Sequence, residues 1–445
     1  MSLPHGLALV FPWSVWECWW LAPVALVLDL WLGDPALPWR HPVCLVGKAL
    51  DWLERPARRF MLAQGAGHER GRGRLAGALA LLALVACTGF AVWAAVSLPI
   101  AGLLAAVYLA WAGLAMGSLL QTGERVLERV ERASEAEARQ ALSWLVSRDT
   151  SAMDRPLMRK TLADTLSENL TDAFTAPFFW LLAGGPVALW CYKAVSTTDS
   201  MWGYVTEKWR WLGWAGARAD DGLAFVPARL AALSAALVHA LFLLRQRLEA
   251  ACPAGARDGA PAGGPDGARE SGRDGKPTDI RGGAAREGAS GTGRSAGQPQ
   301  KSAAAPCAVV LVRARARLSS CLSSCRAACL VTSWARYCPG RWSGHWPGLA
   351  VVARQASGMP SPNSGWPMTA CAWLCGARMA GPSVYFGELV DKPWLGPPPD
   401  GEQPGASYAV WDAPRLLALC DLLRQSALYG GLVLWALTLV CLLIF

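Results

Sequence analysis

The sequence has few charged residues and lacks the common phosphate-binding motifs. Only 17% of its 445 residues are charged, against 53% hydrophobic residues and 24 tryptophans, a balance too apolar for an ordinary soluble protein of this size. The motifs GxxxxGK[ST], GxGxxG and HExxH do not occur, so no known phosphate loop can be read from the chain. The 14 cysteines include no CxxC pair, which argues against zinc or redox work. A membrane protein is the class these absences favour.

The formal charge of +9 does not indicate nucleic-acid binding, because of where it lies along the chain. Residues 245–345 hold 16 Lys and Arg and 7 Asp and Glu, so they carry the whole excess and the rest of the chain sums to zero. A basic surface shared by the folded parts is therefore not expected, and nucleic acid is not a predicted partner.

Long uncharged stretches predict membrane-spanning helices. Residues 75–123 carry no charge over 49 positions, enough for two spans of about 20 residues joined at a break near residues 97–99. Residues 427–445 are also uncharged, and residues 223–244 contain a single arginine. Residues 15–32, flanked by several tryptophans, are predicted to form another span near the N-terminus.

The charge between these stretches predicts their orientation. Residues 40–74 carry eight Lys and Arg, so the positive-inside rule places them in the cytoplasm, and two crossings later residues 124–171 return to that side. Residues 173–192 are apolar, but Pro177 and the Gly-Gly-Pro at 184–186 would interrupt a helix. We therefore predict a broken or re-entrant element there. The expected architecture is an all-α, polytopic helical membrane protein with polar loops facing the cytoplasm.

Composition divides the chain into three parts. Residues 251–305 consist largely of Gly, Ala, Pro, Arg, Asp and Ser, too little apolar surface to offset the entropy of ordering, and residues 306–348 show no clear period. We expect a largely disordered, low-complexity insertion at residues 246–348. It would separate a membrane and catalytic part at residues 1–245 from a second catalytic part at 349–445, which ends in a transmembrane helix.

Short polar motifs interrupt the apolar background. They are LDLWLGDP (28–35) with HP (41–42), SRDTS (147–151), SENLTD (167–172), YKAVSTTDSMWGYVTEKW (192–209), GARADD (216–221) and MPSPNSGWP (359–367). Asp29 lies in a hydrophobic segment, where a charge costs about 2.5–3.5 kcal/mol, so it should have a partner or a water-filled cavity unless it is solvated at the interface.

Two further patterns concern charge. Asp164, Glu168 and Asp172 fall at i, i+4 and i+8, so on a helix they would share one face and repel one another. A bound cation could relieve this repulsion; a solvated acidic face is the alternative. Residues 193–221 supply Lys, Arg, Asp and Glu within one short stretch, as an anionic, metal-bound substrate would require. A plain juxtamembrane loop is the other interpretation of that stretch.

Taken in order, these motifs, with GPSVYFGE (381–388) and KPWLG (392–396), resemble the adenosylcobinamide-phosphate synthases, the CobD/CbiB family of cobalamin biosynthesis. The resemblance covers residues 21–240 and the chain from residue 350 onwards. It implies a ligase that joins the amino group of aminopropanol, or of its O-phosphate, to the remaining carboxylate of adenosylcobyric acid, using ATP and Mg²⁺. It also implies an enzyme in the lipid bilayer of the bacterial inner membrane, with its active site facing the cytoplasm, and makes other late cobalamin-pathway membrane enzymes candidate partners.

On this resemblance the polar residues receive predicted roles. The predicted Mg²⁺ ligands are Asp172, Asp199 and Glu207, and the predicted catalytic groups are Lys193 with Asp220 or Asp221 as the base for the amine. The predicted substrate- and phosphate-binding residues are Arg148, Arg218, His41, Ser361 and Asn363. The other motif positions are Asp29, Asp34, Asp149, Glu168 and Asn169.

Two other functional classes stay open at this point. A transporter would place ionisable residues at the midplane of several spans, whereas here they cluster at segment ends. A non-catalytic membrane sensor of the same fold would keep the helices and lose the polar motifs, and this sequence keeps most of them.

Overall fold

The computed structural model describes residues 19–35, 41–63, 68–251, 344–385, 387–398 and 410–444. Most of the insertion predicted at residues 246–348 lies outside the described residues, as do the first positions of the predicted N-terminal span. The described residues up to Gln246 and those from residue 344 onwards belong to one compact unit.

Helices form most of the described chain. They are α1 (Leu21–Leu32), α2 (Pro42–Leu62), α3 (Glu69–Val96), α4 (Ala101–Gly113), α5 (Met116–Arg132), α6 (Glu135–Ser143), α7 (Arg155–Glu168), a π-helix (Thr171–Thr175), α8 (Ala176–Trp202), α9 (Trp214–Leu223), α10 (Phe225–Ala251), α11 (Leu349–Ala356), α12 (Gly365–Cys375) and α13 (Ala413–Ile444). This confirms the helical membrane-protein class.

Five helical stretches are long and apolar enough to cross a membrane, namely Glu69–Val96, Ala101–Arg132, Arg155–Trp202, Phe225–Leu248 and Ala413–Ile444. The predicted hairpin at residues 75–123 is confirmed, with its turn between α3 and α4. The spans predicted at residues 223–244 and 427–445 lie within α10 and α13. Near the N-terminus, α1 covers 12 described residues, which are too few to cross a bilayer alone because a span needs about 20.

The predicted break in the apolar stretch at residues 173–192 is confirmed at the glycines, whereas Pro177 lies in the first turn of α8 and does not interrupt it. Gly184 and Gly185 have non-helical backbone angles inside α8, and Gly185 has φ +63°. The Tyr192 hydroxyl lies 3.2 Å from Asp172 Oδ1, although 20 residues of straight helix would separate them by about 30 Å. The chain therefore turns back at the two glycines and forms a helical hairpin.

The core of the protein surrounds this hairpin. The largest fully buried side chains include Trp190, Tyr192, Trp202, Phe174 and Phe178, all of which belong to the π-helix or α8. Burying aromatic side chains contributes strongly to packing, because each removes a large apolar area from solvent. The hairpin is thus held on all sides, which fixes the polar residues that it carries.

Four short strands qualify the all-α prediction. Strand β1 (Met379–Ala380) pairs antiparallel with β4 (Trp394–Leu395), and β2 (Ser383–Tyr385) pairs antiparallel with β3 (Glu388–Val390). Gly381 and Gly387 have positive φ angles of 74° and 84°, which glycine adopts without strain. These turns carry the GPSVYFGE and KPWLG motifs, whose backbone conformation the helical interpretation had not anticipated.

Candidate active site

Asp29 is fully buried in α1 and contacts the beginning of another helix. Its carboxylate accepts hydrogen bonds from the backbone N–H groups of Met116 at 3.1 Å and Gly117 at 3.2 Å. These are the first residues of α5, where unpaired N–H groups and the helix dipole favour a carboxylate. A Cβ atom on Gly117 would lie 1.9 Å from the Asp29 carbonyl oxygen, so this approach requires glycine. The predicted partner exists, and solvation at the interface is excluded.

Lys193 is the centre of a group of carboxylates that come from separate motifs. It interacts electrostatically with carboxylates of α1, of the segment after α1, of the π-helix and of α9. We call this group the acidic cluster; it comprises Lys193 with Asp29, Asp34, Asp172, Asp199 and Asp220. Lys193 and Asp172 are both partly exposed, so a ligand can reach them.

The helical hairpin at Gly184 and Gly185 determines the geometry on the Asp172 side of the acidic cluster. Tyr192 donates its hydroxyl proton to Asp172 Oδ1 over 3.2 Å. Asp199, in the last turn of α8, interacts electrostatically with Asp172 and Asp221. Two predicted metal ligands, Asp172 and Asp199, therefore come together.

Asp220 and Asp221 lie on α9 and differ in their surroundings. Burial raises the pKa of Asp220 to about 8, and the charges of Asp172, Asp199 and Asp221 act in the same direction. Asp220 Oδ1 is buried and has no hydrogen-bond partner among the described residues. Burial also raises the pKa of Asp221, but Arg218 at 3.5 Å opposes this rise. A carboxylate that has an unpaired oxygen and a pKa near neutrality is suited to accept a proton from a bound ligand.

Asp34, which follows α1, and His41, which precedes α2, also interact electrostatically with Lys193. Asp34 accepts a hydrogen bond from the Ser118 hydroxyl at 2.9 Å. His41 is the N-cap of α2, where its Nδ1 accepts from the Val43 N–H at 3.3 Å. Burial lowers the pKa of the His41 imidazole, and the Asp34 charge opposes this. The HP motif thus begins a helix and also places an imidazole within electrostatic range of Lys193.

The residues predicted to bind phosphate near α9 make contacts within the protein. Asn363 donates from Nδ2 to the Asp221 carbonyl oxygen at 2.9 Å and accepts from Arg229 at 3.3 Å. The Ser361 hydroxyl accepts the Asn363 N–H at 3.3 Å. These bonds hold the end of α9, so Ser361 and Asn363 position Asp221. Arg218 is exposed, with 69% of its side chain accessible.

Glu207 is separate from the other two predicted metal ligands. It lies exposed in the segment that follows α8, and no contact among the described residues joins it to Asp172 or Asp199. The described part of the chain contains no group of three or more His, Cys, Asp or Glu residues placed to hold a metal ion. Magnesium that arrives with a nucleotide needs only one or two protein carboxylates, because phosphates and water supply the other ligands. The acidic cluster fits that mode of binding.

A second charged group lies around Asp164 of α7. Asp164 Oδ2 accepts from Arg148 at 2.7 Å and from Lys160 at 3.1 Å, and Oδ1 accepts from the Ala380 N–H at 3.0 Å. The Tyr385 hydroxyl accepts from Arg148 Nε at 3.0 Å and from Lys392 at 2.8 Å. We call this group the basic cluster; it comprises Arg148, Lys160, Asp164, Tyr385 and Lys392. Burial lowers and Asp164 raises the pKa of Arg148, whose net shift is upwards.

The face shared by Asp164, Glu168 and Asp172 connects the two clusters. Glu168 interacts electrostatically with Lys392 and Arg148 on one side and with Asp172 on the other. At Asp164, basic side chains of the protein itself therefore supply the positive charge that this face was predicted to attract. Asn169 ends α7 by donating to the Thr165 carbonyl at 2.9 Å. Asp149 is exposed and accepts from the Ser151 N–H at 2.9 Å, which is a local turn contact.

Four residues in or beside these clusters were not among the predicted site positions or the predicted acidic face: Lys160, Tyr192, Tyr385 and Lys392. Three of them lie inside motifs that the sequence displays, YKAVSTTD, GPSVYFGE and KPWLG, so the signal was present. Lys160 could have been found as the residue four positions before Asp164, a spacing that pairs opposite charges on a helix.

Comparison with known proteins identifies relatives along most of the chain. The family model described as "CobD/Cbib protein" matches residues 22–266 and 303–410. The "Cobalamin biosynthesis protein CobD" of Pelobacter propionicus is 42% identical over 50% of this chain and 68% of that protein. The protein of the same name from Photorhabdus laumondii is 28% identical over 92% of this chain and 94% of its own length. The "Cobalamin biosynthesis protein CbiB" of Salmonella arizonae is 26% identical over 94% of both chains. No solved structure matches.

Proposed function

Since this chain belongs to the CobD/CbiB family and so acts in cobalamin biosynthesis, we propose that it is an ATP-dependent adenosylcobinamide-phosphate synthase. The reaction would join the amino group of aminopropanol, or of its phosphate, to the remaining carboxylate of adenosylcobyric acid. The observation that carries the proposal is the convergence of motif carboxylates, far apart in sequence, around Lys193. The alternatives of a membrane sensor or a transporter are not favoured, because the relatives described above are named for cobalamin biosynthesis.

Forming an amide from a carboxylate requires activation, since carboxylate oxygen is a poor leaving group. ATP would supply this activation by transferring a phosphoryl group to the corrinoid carboxylate. Asp172 and Asp199 are the residues that would hold Mg²⁺ on the nucleotide. Lys193 would neutralise negative charge at the reacting centre, and Arg148 and Arg218 would bind phosphate charge.

Asp220 is the proposed base. The attacking amine must lose a proton, and a carboxylate with a pKa of about 8 accepts a proton more readily than an ordinary aspartate does. Its unpaired Oδ1 leaves an acceptor free for the ammonium group. Asp221, tied to Arg218 and to Asn363 through its carbonyl oxygen, would position α9.

The basic cluster supports a separate role in substrate binding. Arg148, Lys160 and Lys392 outnumber the two carboxylates that face them, Asp164 and Glu168. The excess positive charge suits a phosphate or carboxylate group of a substrate. Tyr385 accepts from both Arg148 and Lys392, so its own proton is available for that group.

The chain is a multi-pass membrane protein, and we place it in the bacterial inner membrane with the acidic cluster facing the cytoplasm. The excess of Lys and Arg between α1 and the apolar part of α3 supports this orientation. The corrinoid and the aminopropanol compound would then reach the site from the cytoplasm. Other late membrane enzymes of the pathway would be its partners.

Complementation of a strain that cannot make adenosylcobinamide phosphate tests the proposal. The wild-type gene should restore growth that depends on endogenous cobalamin, and a variant with Asp172→Asn should not. Both strains should grow when cobinamide is supplied, because cobinamide enters after the missing amide bond. The purified protein should also consume ATP only when adenosylcobyric acid and the amine are both present. Failure of the wild-type gene to complement at normal protein level would refute the proposal.

A further inference from the structure

We propose that Arg70, Arg74 and Arg210 form a binding site for the phosphate group of an anionic membrane lipid, at the point where α3 enters the bilayer. The site lies outside both clusters and does not depend on the proposed reaction.

Three arginines converge on one tryptophan there. The guanidinium carbons of Arg70 and Arg74 each lie 5.6 Å from the centre of the Trp211 ring, and that of Arg210 lies 4.8 Å from it. Arg74 also lies 4.6 Å from the ring of Trp214. The indole rings stabilise the cations from their faces and leave the edges of the guanidinium groups free to donate hydrogen bonds.

These arginines lack acidic partners, unlike their neighbours. Arg58 and Lys208 both form ion pairs with Glu54, at 2.9 Å and 3.3 Å. Across the described ranges, no ion pair involves Arg70, Arg74 or Arg210. The Nε atom of Arg74 is buried and has no hydrogen-bond acceptor within the described residues. The described residues therefore provide no anion for these three positive charges or for the unsatisfied donor.

The position of the site favours a lipid over a soluble phosphate. Arg74 directly precedes the apolar part of α3, and Leu75, Leu79 and Leu82 on the following turns are 52%, 53% and 65% exposed. These leucines lie on neighbouring turns of one helix side and offer an apolar surface to acyl chains. Tryptophan and arginine at this level are typical of the headgroup region. A single lipid molecule would place its phosphate headgroup against the arginines and its acyl chains against the leucines.

Binding of phosphatidylglycerol to the delipidated protein in detergent, followed by native mass spectrometry, tests the site. The wild-type protein should bind phosphatidylglycerol in preference to phosphatidylcholine. The triple variant R70Q/R74Q/R210Q should bind phosphatidylglycerol about a hundred-fold more weakly, because each basic residue near an anionic headgroup contributes about five-fold in affinity. The matched control R125Q/R129Q/R132Q removes three exposed arginines from α5 and should retain wild-type affinity.

Three results would overturn the proposal. They are equal binding of the two lipids by the wild-type protein, unchanged phosphatidylglycerol binding by the triple variant, and displacement of the lipid by an equal concentration of inorganic phosphate, which would assign the site to a soluble anion. If the triple variant does not fold, the single variant Arg210→Gln, which changes an exposed side chain, should weaken binding about five-fold. Lipid binding is the readout throughout, so absence of ligase activity would leave the result unaffected.

Discussion

The basic cluster and the acidic cluster use similar residue types but satisfy their charges in opposite ways. In the basic cluster, Asp164 has no solvent exposure and accepts from two cations and one backbone N–H. In the acidic cluster, Asp220 leaves a buried oxygen without a partner and shares Lys193 with other carboxylates. A carboxylate whose hydrogen bonds and ion pairs are all formed stabilises the fold, whereas a carboxylate with an unpaired oxygen is available for chemistry. The two regions should therefore respond differently to the same change of Asp to Asn.

The largest effect is expected for Asp220→Asn on activity. Removing a general base should lower the rate of amide formation about 10²- to 10⁴-fold, while the free energy of unfolding stays the same or rises because repulsion among carboxylates decreases. Ligase assays and thermal unfolding in detergent measure the two quantities. Asp149→Asn, which changes an exposed carboxylate, is the control and should leave both unchanged. Full activity of the Asp220 variant would show that Asp220 is not the base.

For Asp164→Asn we expect the reverse, a loss of stability. The change leaves Arg148 and Lys160 without their shared carboxylate in surroundings where the side chains are only 6% and 12% exposed. Breaking a buried ion pair lowers the free energy of unfolding by about 3–5 kcal/mol. The control Glu128→Gln removes a pair with Arg132 whose side chains are 61% and 81% exposed, and should cost less than about 1 kcal/mol. Similar unfolding of both variants would show that the network does not brace the fold.

The pH dependence of stability should separate wild type from Asp220→Asn. The pKa of Asp220 rises from 3.8 to about 8 on folding, so the folded state retains a proton that the unfolded state releases. As pH increases from about 4 to about 8, this group therefore progressively favours unfolding, and above that range its effect is constant. The melting temperature of the variant minus that of wild type should grow with pH across this range. A difference that does not vary with pH would contradict the raised pKa.

The activity of the wild-type protein should also depend on Asp220, but it should increase with pH whereas the stability decreases. A base acts in its deprotonated form, so the rate of amide formation should rise with pH until about pH 8, near the pKa of Asp220. Rate measurements at saturating substrate, from acidic to alkaline pH, test this. A rate that is highest at pH 5 would exclude Asp220 as the base.

The smallest effect is expected for Glu207→Gln. The sequence suggested that Glu207 binds Mg²⁺ with Asp172 and Asp199, which predicts equal losses of activity for all three amide variants. The structure places Glu207 on the surface, and on that basis we expect a fall of less than about five-fold, since surface substitutions away from special contacts usually change little. Complementation at matched protein level compares the three. A loss as large as that of Asp172→Asn would restore Glu207 to the metal site.

Much of the fold followed from local sequence properties. The hairpin of α3 and α4 and the apolar parts of α10 and α13 could be predicted because the cost of exposing charge to lipid acts on each segment separately. The break at Gly184 and Gly185 could be predicted for a similar reason, since glycine and proline act within one helical turn. The short strands around Tyr385 were missed because their pairing depends on turns and on packing, which a few residues do not specify.

The motifs predicted which polar residues matter, but not what each one contacts. Asp29, Lys193 and Asp220 were identified as candidates, and the structure brings them together. Asn363 was predicted to bind phosphate, yet it holds the end of α9 through the Asp221 carbonyl. Motif order shows that positions recur in a pattern, whereas the role of a side chain depends on partners that the motif does not contain.

The sequence by itself determined that this chain is a multi-pass helical membrane protein with the motifs of one family, because hydropathy and motif order are properties of continuous segments. Only the tertiary structure decided which charges are paired and which are free. Arg148 meets Tyr385 across 237 positions, and Asp164 meets the Ala380 N–H across 216. The energy of an ion pair depends on distance and burial, and for residues so far apart along the chain both are set by how the helices pack.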